Sequence, residues 1–193
     1  MKIIIDPHAK GIIFDIDGTL ADTMPVHYDC WVEVLKNNDI ICNRDIIKQF
    51  AGIPIASIVL EINKMFNSNL DVKTIVKQKE EAYIRNISKV TPIGPVVDVV
   101  MQYYDKLPIS AGTGNYRHIA ELTLKTVKLD SYFDILVTAD DVENHKPHPD
   151  TFLKCAELMN VKPEYCQVFE DTESGFKAVK NAGMILTDVN KYL

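Results

Sequence analysis

The chain has 193 residues, enough for one good core or for one core with a small satellite domain. Its 47% hydrophobic and 25% charged residues are ordinary for a soluble globular protein. A net charge of −6 argues against broad binding to nucleic acid or anionic membrane, which need excess positive charge, and leaves room for a small anionic substrate. The opening MKIIIDPHAK is too short an apolar run for a signal peptide, and Asp6 and Pro7 break it. No stretch approaches the roughly 20 apolar residues of a membrane span. Cys30, Cys42, Cys155 and Cys166 are scattered without a C-x-x-C pair and read as reduced core residues. A cytoplasmic monomer with no nucleic-acid or membrane partner is expected.

In chain order, the first strand-like run is Gly11–Asp15, inside GIIFDIDGTLADT. Residues from about 24 to 90 then follow a helical rhythm: Val26, Cys30, Trp31, Val34 and Leu35, next Ile55, Val59, Ile62 and Phe66, and last Ile75, Ala82, Tyr83 and Ile87. This reads as a helical bundle inserted after the first strand, with Pro92, Gly94 and Pro95 as a hinge at its exit. Beyond it, helical patterns at Val96–Tyr104, Tyr116–Val127, Asp150–Met159 and Glu173–Asn181 alternate with strand-like runs at Pro108–Ala111, Phe133–Val137, Cys166–Phe169 and Met184–Leu186. Continuous apolar strands alternating with amphipathic helices predict an α/β fold with a parallel sheet covered on both faces. The expected layout is a Rossmann-like core from residues 1–22 and 91–193, with a helical cap domain at 23–90. In such sheets the ligand sits beyond the carboxyl ends of the strands.

That edge is where the sequence concentrates its polar groups. Asp15 and Asp17 end the first strand, and Glu170 and Asp171 end the CQVFED strand. A carboxylate buried without a partner is costly, and several together repel; a hard cation with oxygen ligands resolves both problems, and Mg²⁺ is the natural candidate. PISAGTGN supplies Thr113, then backbone N–H groups at Gly114 and Asn115 as the next helix begins, a set that favours phosphate. Lys146, after the FDILVT strand, offers a fixed counter-charge. A dinucleotide-type G-x-G-x-x-G fails in GTGNYR, where Arg117 stands at the third glycine position. A His145–His148 metal pair is disfavoured because Pro147 breaks helical spacing, which leaves both histidines in an exposed loop.

The segments DIDGT, SAGTGN, HKPHPDTF and VFEDTESGFKAVKNAGM, in this order and spacing, resemble the haloacid dehalogenase superfamily across the whole chain, and most closely its β-phosphoglucomutase-like branch, which includes fructose-1-phosphatase-like sugar-phosphate phosphatases. The resemblance implies a phosphatase acting on a small phosphorylated metabolite. Asp15 would be the nucleophile and Asp17 the general acid and base. Mg²⁺ would be held by Asp15, the backbone carbonyl of Asp17, and Asp171, with Glu170 nearby. Thr113, Gly114, Asn115 and Lys146 would hold the phosphoryl group.

The resemblance also points to Thr23 as a cap-hinge residue, and to His27 and Lys79 as substrate-facing cap residues. The chain departs from the mutases at FAGIPIAS, where Ala51 and Ile55 occupy positions typically held by a lysine and an arginine that steady a second phosphate. Losing both cations weakens bisphosphate binding and favours hydrolysis of a sugar or polyol monophosphate over phosphomutase activity. A phosphomutase of the β-phosphoglucomutase type remains the alternative within the branch. A non-catalytic phosphosugar sensor is the alternative of another class, although such proteins usually lose the nucleophile or metal ligands that this chain retains.

Overall fold

The computed structural model describes residues 3–50 and 55–193. In chain order its elements are β1 (Gly11–Phe14), β2 (Ala21–Asp22), α1 (Met24–Asn37), α2 (Arg44–Lys48), α3 (Ile55–Phe66) and α4 (Val72–Asn86), then β3 (Thr91–Pro92), α5 (Gly94–Tyr103), β4 (Ile109–Gly112) and α6 (Arg117–Thr126). β5 (Leu136–Val137), α7 (Asp150–Met159), β6 (Cys166–Glu170), α8 (Glu173–Asn181) and β7 (Ile185–Asp188) complete the chain. Two compact units are formed, one from Met1–Asp22 with Thr91–Leu193 and the other from Thr23–Val90.

The first unit carries a five-stranded parallel sheet in the order β5-β4-β1-β6-β7, as the apolar runs predict for an α/β fold. β1, the sequence GIIF, is buried at every position because parallel neighbours flank it on both sides. Phe14 packs against Phe133 and Phe169, with ring centroids 5.9 and 4.9 Å away. Ile13, Val168, Phe152, Cys155, Ala178 and Val179 are among the residues that fuse strands and helices into one core. Burying an aliphatic or aromatic side chain of this size contributes about 1.5–3 kcal/mol.

Helix boundaries follow local chemistry. Thr172 caps α8 by accepting the Gly175 N–H at 3.0 Å, and Asn160 closes α7 in the left-handed conformation, with φ 53°. α5 begins two residues before the expected Val96, because Pro95 in its first turn has its backbone preset for a helix. Pro92 and Gly94, read from sequence as part of a hinge, lie in regular elements: Pro92 pairs with Ala21 in the β2–β3 ribbon, and Gly94 opens α5. β5 is shorter than the run Phe133–Val137, since only Leu136 and Val137 pair with β4.

In the second unit α1 packs on α2 and α4, and α3 packs on α4. Its buried residues include Val26, Cys30, Trp31, Val34 and Leu35 of α1, Val59 and Ile62 of α3, and Ile75, Ala82 and Tyr83 of α4, the apolar stripes seen in the sequence. Asp71 caps α4 through the Thr74 N–H at 2.9 Å. The short α2, capped by Asn43 through the Ile46 N–H, has too few residues to show a helical period in sequence.

Candidate active site

Sheet register assembles the site. Phe14 of β1 is aligned with Ala111 of β4 and Phe169 of β6, so the residues that follow each of them emerge at one edge. Asp15 follows β1 and remains tied to β6 by its N–H donating to the Phe169 carbonyl at 3.0 Å. Glu170 ends β6 and Asp171 comes next; Gly112 ends β4 and Thr113 comes next.

Lys146 sits among these carboxylates. Its Nζ donates to Asp15 Oδ1 at 2.6 Å and to Glu170 Oε1 at 3.0 Å, with the Phe152 ring centroid 4.7 Å away. Lys146, Asp15 and Glu170 have side chains only 11%, 7% and 1% exposed, so little water weakens the attraction. One lysine does not balance the charge. Burial, together with the neighbouring Glu170, Asp171 and Asp17, pushes Asp15 well above the usual carboxylate range despite the Lys146 ammonium. Burial and the Glu170 charge push Asp171 up to about 7, against a hydrogen bond from Thr19 that favours its ionised form. Burial works against the Lys146 charge, but Asp15 and Glu170 more than compensate and raise its pKa above the usual lysine value.

The excess of negative charge fits a cation. Carboxylate oxygens of Asp15, Glu170 and Asp171 lie within 4.8 Å of one another, a hard-oxygen donor set suited to a hard divalent metal. Glu170 is also heavily committed within the protein. Its Oε2 accepts the N–H groups of Asp171 and Thr172, and its Oε1 accepts the Thr172 hydroxyl as well as Lys146. Two glycines make room for these carboxylates. A Cβ on Gly175 would overlap the Glu170 carboxylate, and one on Gly18, whose φ is +83°, would overlap that of Asp171.

Asp17 faces the other set. Its Oδ2 accepts from the Asn115 side-chain amide at 2.8 Å and from the Thr113 hydroxyl at 3.1 Å. The sequence-based expectation of a free amide at Asn115 is corrected: its N–H donates to the Thr113 hydroxyl at 3.0 Å. A threonine side chain readily closes such a local turn, and α6 starts only at Arg117. Gly114 is exposed, with open space where a Cβ would stand. His145 is half-buried rather than exposed, and His148 is exposed.

In the helical unit Thr23 is buried at the start of α1 and its hydroxyl makes no capping hydrogen bond there. His27 and Lys79 are brought together, with Nδ1 and Nζ 2.7 Å apart. The His27 ring stacks on Tyr83 at 4.3 Å between centroids, and the Lys79 ammonium lies 5.4 Å from the same ring. Lys79 is buried, which is unusual for a lysine. Of the two positions that lack a cation, Ala51 lies outside the described residues, and Ile55 is the partly buried first residue of α3.

Several supporting residues escape a reading of the sequence alone. Thr19 binds Asp171 Oδ1 at 3.1 Å, and Asn190 binds the Asp171 carbonyl at 2.7 Å. Thr172 could have been found, since a threonine before an acidic first helical turn is a capping signal. Asn190 carries no such local signal.

A parallel sheet with one lysine and several carboxylates gathered beyond its carboxyl edge defines an α/β enzyme with a carboxylate-centred site. The haloacid dehalogenase-like hydrolase pattern matches residues 12–189, and the chain belongs to that family. It is 41% identical to the fructose-1-phosphate phosphatase YqaB of Escherichia coli over 184 residues, 93% of this chain and 95% of that one. It is 28% identical to the β-phosphoglucomutase of Bacillus subtilis, covering 94% of this chain and 84% of that one. Among solved structures, the β-phosphoglucomutase of Clostridium difficile shares the fold with a TM-score of 0.79 at 24% identity, over 93% of this chain and 84% of that one. Among the described residues, no helix is long and apolar enough to cross a membrane.

Proposed function

We propose that this enzyme, a phosphoric monoester hydrolase, releases phosphate from small sugar or polyol monophosphates by way of an aspartyl-phosphate at Asp15. The observation that carries this reading is the Lys146 bridge between Asp15 and Glu170, with Asp171 beside it and Asp17 held separately by Thr113 and Asn115. Asp15 faces the fixed positive charge of Lys146, which favours the ionised nucleophile, while Asp17 is held by neutral donors, so the two carboxylates can take different roles.

Asp15 attacks phosphorus, the bond to the sugar oxygen breaks, and the phosphoryl group passes to the Asp15 carboxylate. Asp17 gives its proton to the departing sugar oxygen, then takes one from the water that attacks the aspartyl-phosphate, so that phosphate leaves and Asp15 is regenerated. Lys146 steadies the phosphoryl oxygens, and Thr113, Gly114 and Asn115 complete their binding site. Asp15, Glu170 and Asp171, with the Asp17 carbonyl as the resemblance implies, would hold Mg²⁺, which when bound would offset the repulsion between a carboxylate and a phosphate dianion. The 23–90 unit is assigned the role of a cap domain. Thr23 is assigned to its hinge, and His27 and Lys79 to contact with the sugar, because they match the cap positions of the β-phosphoglucomutase-like branch.

The 41% identity to a fructose-1-phosphate phosphatase makes fructose 1-phosphate the first substrate to test. A panel of sugar and polyol monophosphates, with and without Mg²⁺, is followed for both released phosphate and isomerised product. Equal amounts of phosphate and free sugar or polyol are expected, only with Mg²⁺ present. Efficient isomerisation stimulated by a hexose bisphosphate would overturn the phosphatase reading in favour of the mutase.

A further inference from the structure

A second network lies beside the Asp17 donors and contains no residue assigned to the chemistry. Its hub is Asp141, whose Oδ2 accepts the Thr138 N–H at 2.7 Å, the Thr138 hydroxyl at 2.8 Å and the Arg117 guanidinium at 2.6 Å. Thr138 and Asp141 form a capping box around the single helical turn at Ala139–Asp141. Arg117, the first residue of α6, also donates its backbone N–H to Asp140 at 2.8 Å and its side chain to the Leu136 carbonyl at 3.2 Å.

The network reaches the site at the Ala139 N–H. Ala139, in the capped turn, donates its N–H to the Asn115 carbonyl at 3.0 Å, and the Asn115 side chain in turn holds Asp17. We infer that Asp141 is a positioning residue for the reaction: by fixing the Ala139–Asp141 turn and the start of α6, it sets the Asn115 amide against Asp17. An exposed ion pair alone would be too weak for this role. The Arg117–Asp141 pair is itself partly exposed, but it is joined to the fully buried Thr138 through that residue's N–H and hydroxyl and to the Leu136 carbonyl, and these bonds together fix the geometry of the loop. Small displacements of a positioned group lower turnover steeply, because catalysis depends on near-attack geometry.

The catalytic readout of this inference rests on Asp17 acting as the general acid, so the experiment includes Asp17→Asn as a control. Turnover of a sugar phosphate is compared with that of an aryl phosphate, whose good leaving group needs little protonation. Asp141→Ala should lower sugar-phosphate turnover by about tenfold more than aryl-phosphate turnover. Asp141→Asn, which keeps an acceptor for the Thr138 N–H, should show a smaller effect in the same direction with its melting temperature nearly unchanged. The Asn115 side-chain amide resonance should move in both variants. Where Asp17→Asn alters the substrate ratio, an unaltered ratio in both Asp141 variants overturns the inference. Where Asp17→Asn reduces both substrates equally, the general-acid assignment has failed instead. The Asn115 resonance then decides alone, a displaced signal supporting the positioning role and an unmoved one overturning it.

Discussion

Lys146 Nζ lies 2.6 Å from Asp15 Oδ1, in a pair that is almost wholly buried and in which Glu170 is the lysine's second acceptor. Removing the cation leaves the carboxylates facing one another with no other cationic side chain bonded to them among the described residues. Lys146→Met should therefore destabilise the metal-free protein by about 3–5 kcal/mol, the usual result of breaking a buried pair by one partner. Turnover should fall by about 10²–10³-fold, as for loss of a preorganised charge at a phosphoryl group. Chemical denaturation and steady-state kinetics measure the two effects; a variant with wild-type turnover would remove Lys146 from the chemistry.

Glu170 and Gly175 give a prediction whose sign runs against helix propensity. Replacing a helical glycine with alanine ordinarily stabilises by roughly 0.5–1 kcal/mol. In α8 the added methyl would meet the Glu170 carboxylate and push it off the Thr172 N–H and Lys146. Gly175→Ala should lower both the melting temperature and the activity. Glu170→Gln, which fits the same space, should keep most of the fold and lose activity. Stabilisation by Gly175→Ala would show that the Glu170 clasp is unimportant.

The elevated carboxylates set the direction of pH dependence. Asp171, ordinarily near 3.8, stands at about 7 when folded, so between these values the folded chain binds more protons than the unfolded one. Stability of the metal-free protein should then fall as pH rises through that window, and Asp15 acts in the same direction. A divalent cation on these oxygens competes with the protons, so the rise in melting temperature on adding Mg²⁺ should grow from about pH 5 to about pH 8. Thermal melts across this range, with Mg²⁺ and with a chelator, test both signs. A shift that does not depend on pH would place the metal away from Asp171.

Much of this architecture could be read from the chain. The strand GIIF is continuously apolar because the sheet is buried on both faces, and an aspartate or glutamate at the end of a mostly apolar strand, as in CQVFED, is conspicuous for its cost. Amphipathic spacing likewise located α7 and α8 to the residue. What escaped depends on contacts between distant segments. The bond from Asn190 to the Asp171 carbonyl and the Arg117–Asp141 link join residues whose local sequence carries no mark of the partner. Glu170 shows the same limit: its residue type fits a metal ligand, but only the fold reveals that its oxygens also clasp Lys146 and the start of α8.

The central claim is that Asp15 attacks phosphorus, and Asp15→Asn tests it most directly because it keeps the shape of the side chain and removes the nucleophilic charge. Phosphate release from fructose 1-phosphate, or from the best substrate in the panel, is measured with saturating Mg²⁺ for the wild-type and Asp15→Asn enzymes, after exclusion of contaminating phosphatase. The predicted result is a loss of several orders of magnitude in turnover. A variant that keeps more than about a tenth of the wild-type rate would contradict nucleophilic attack by Asp15.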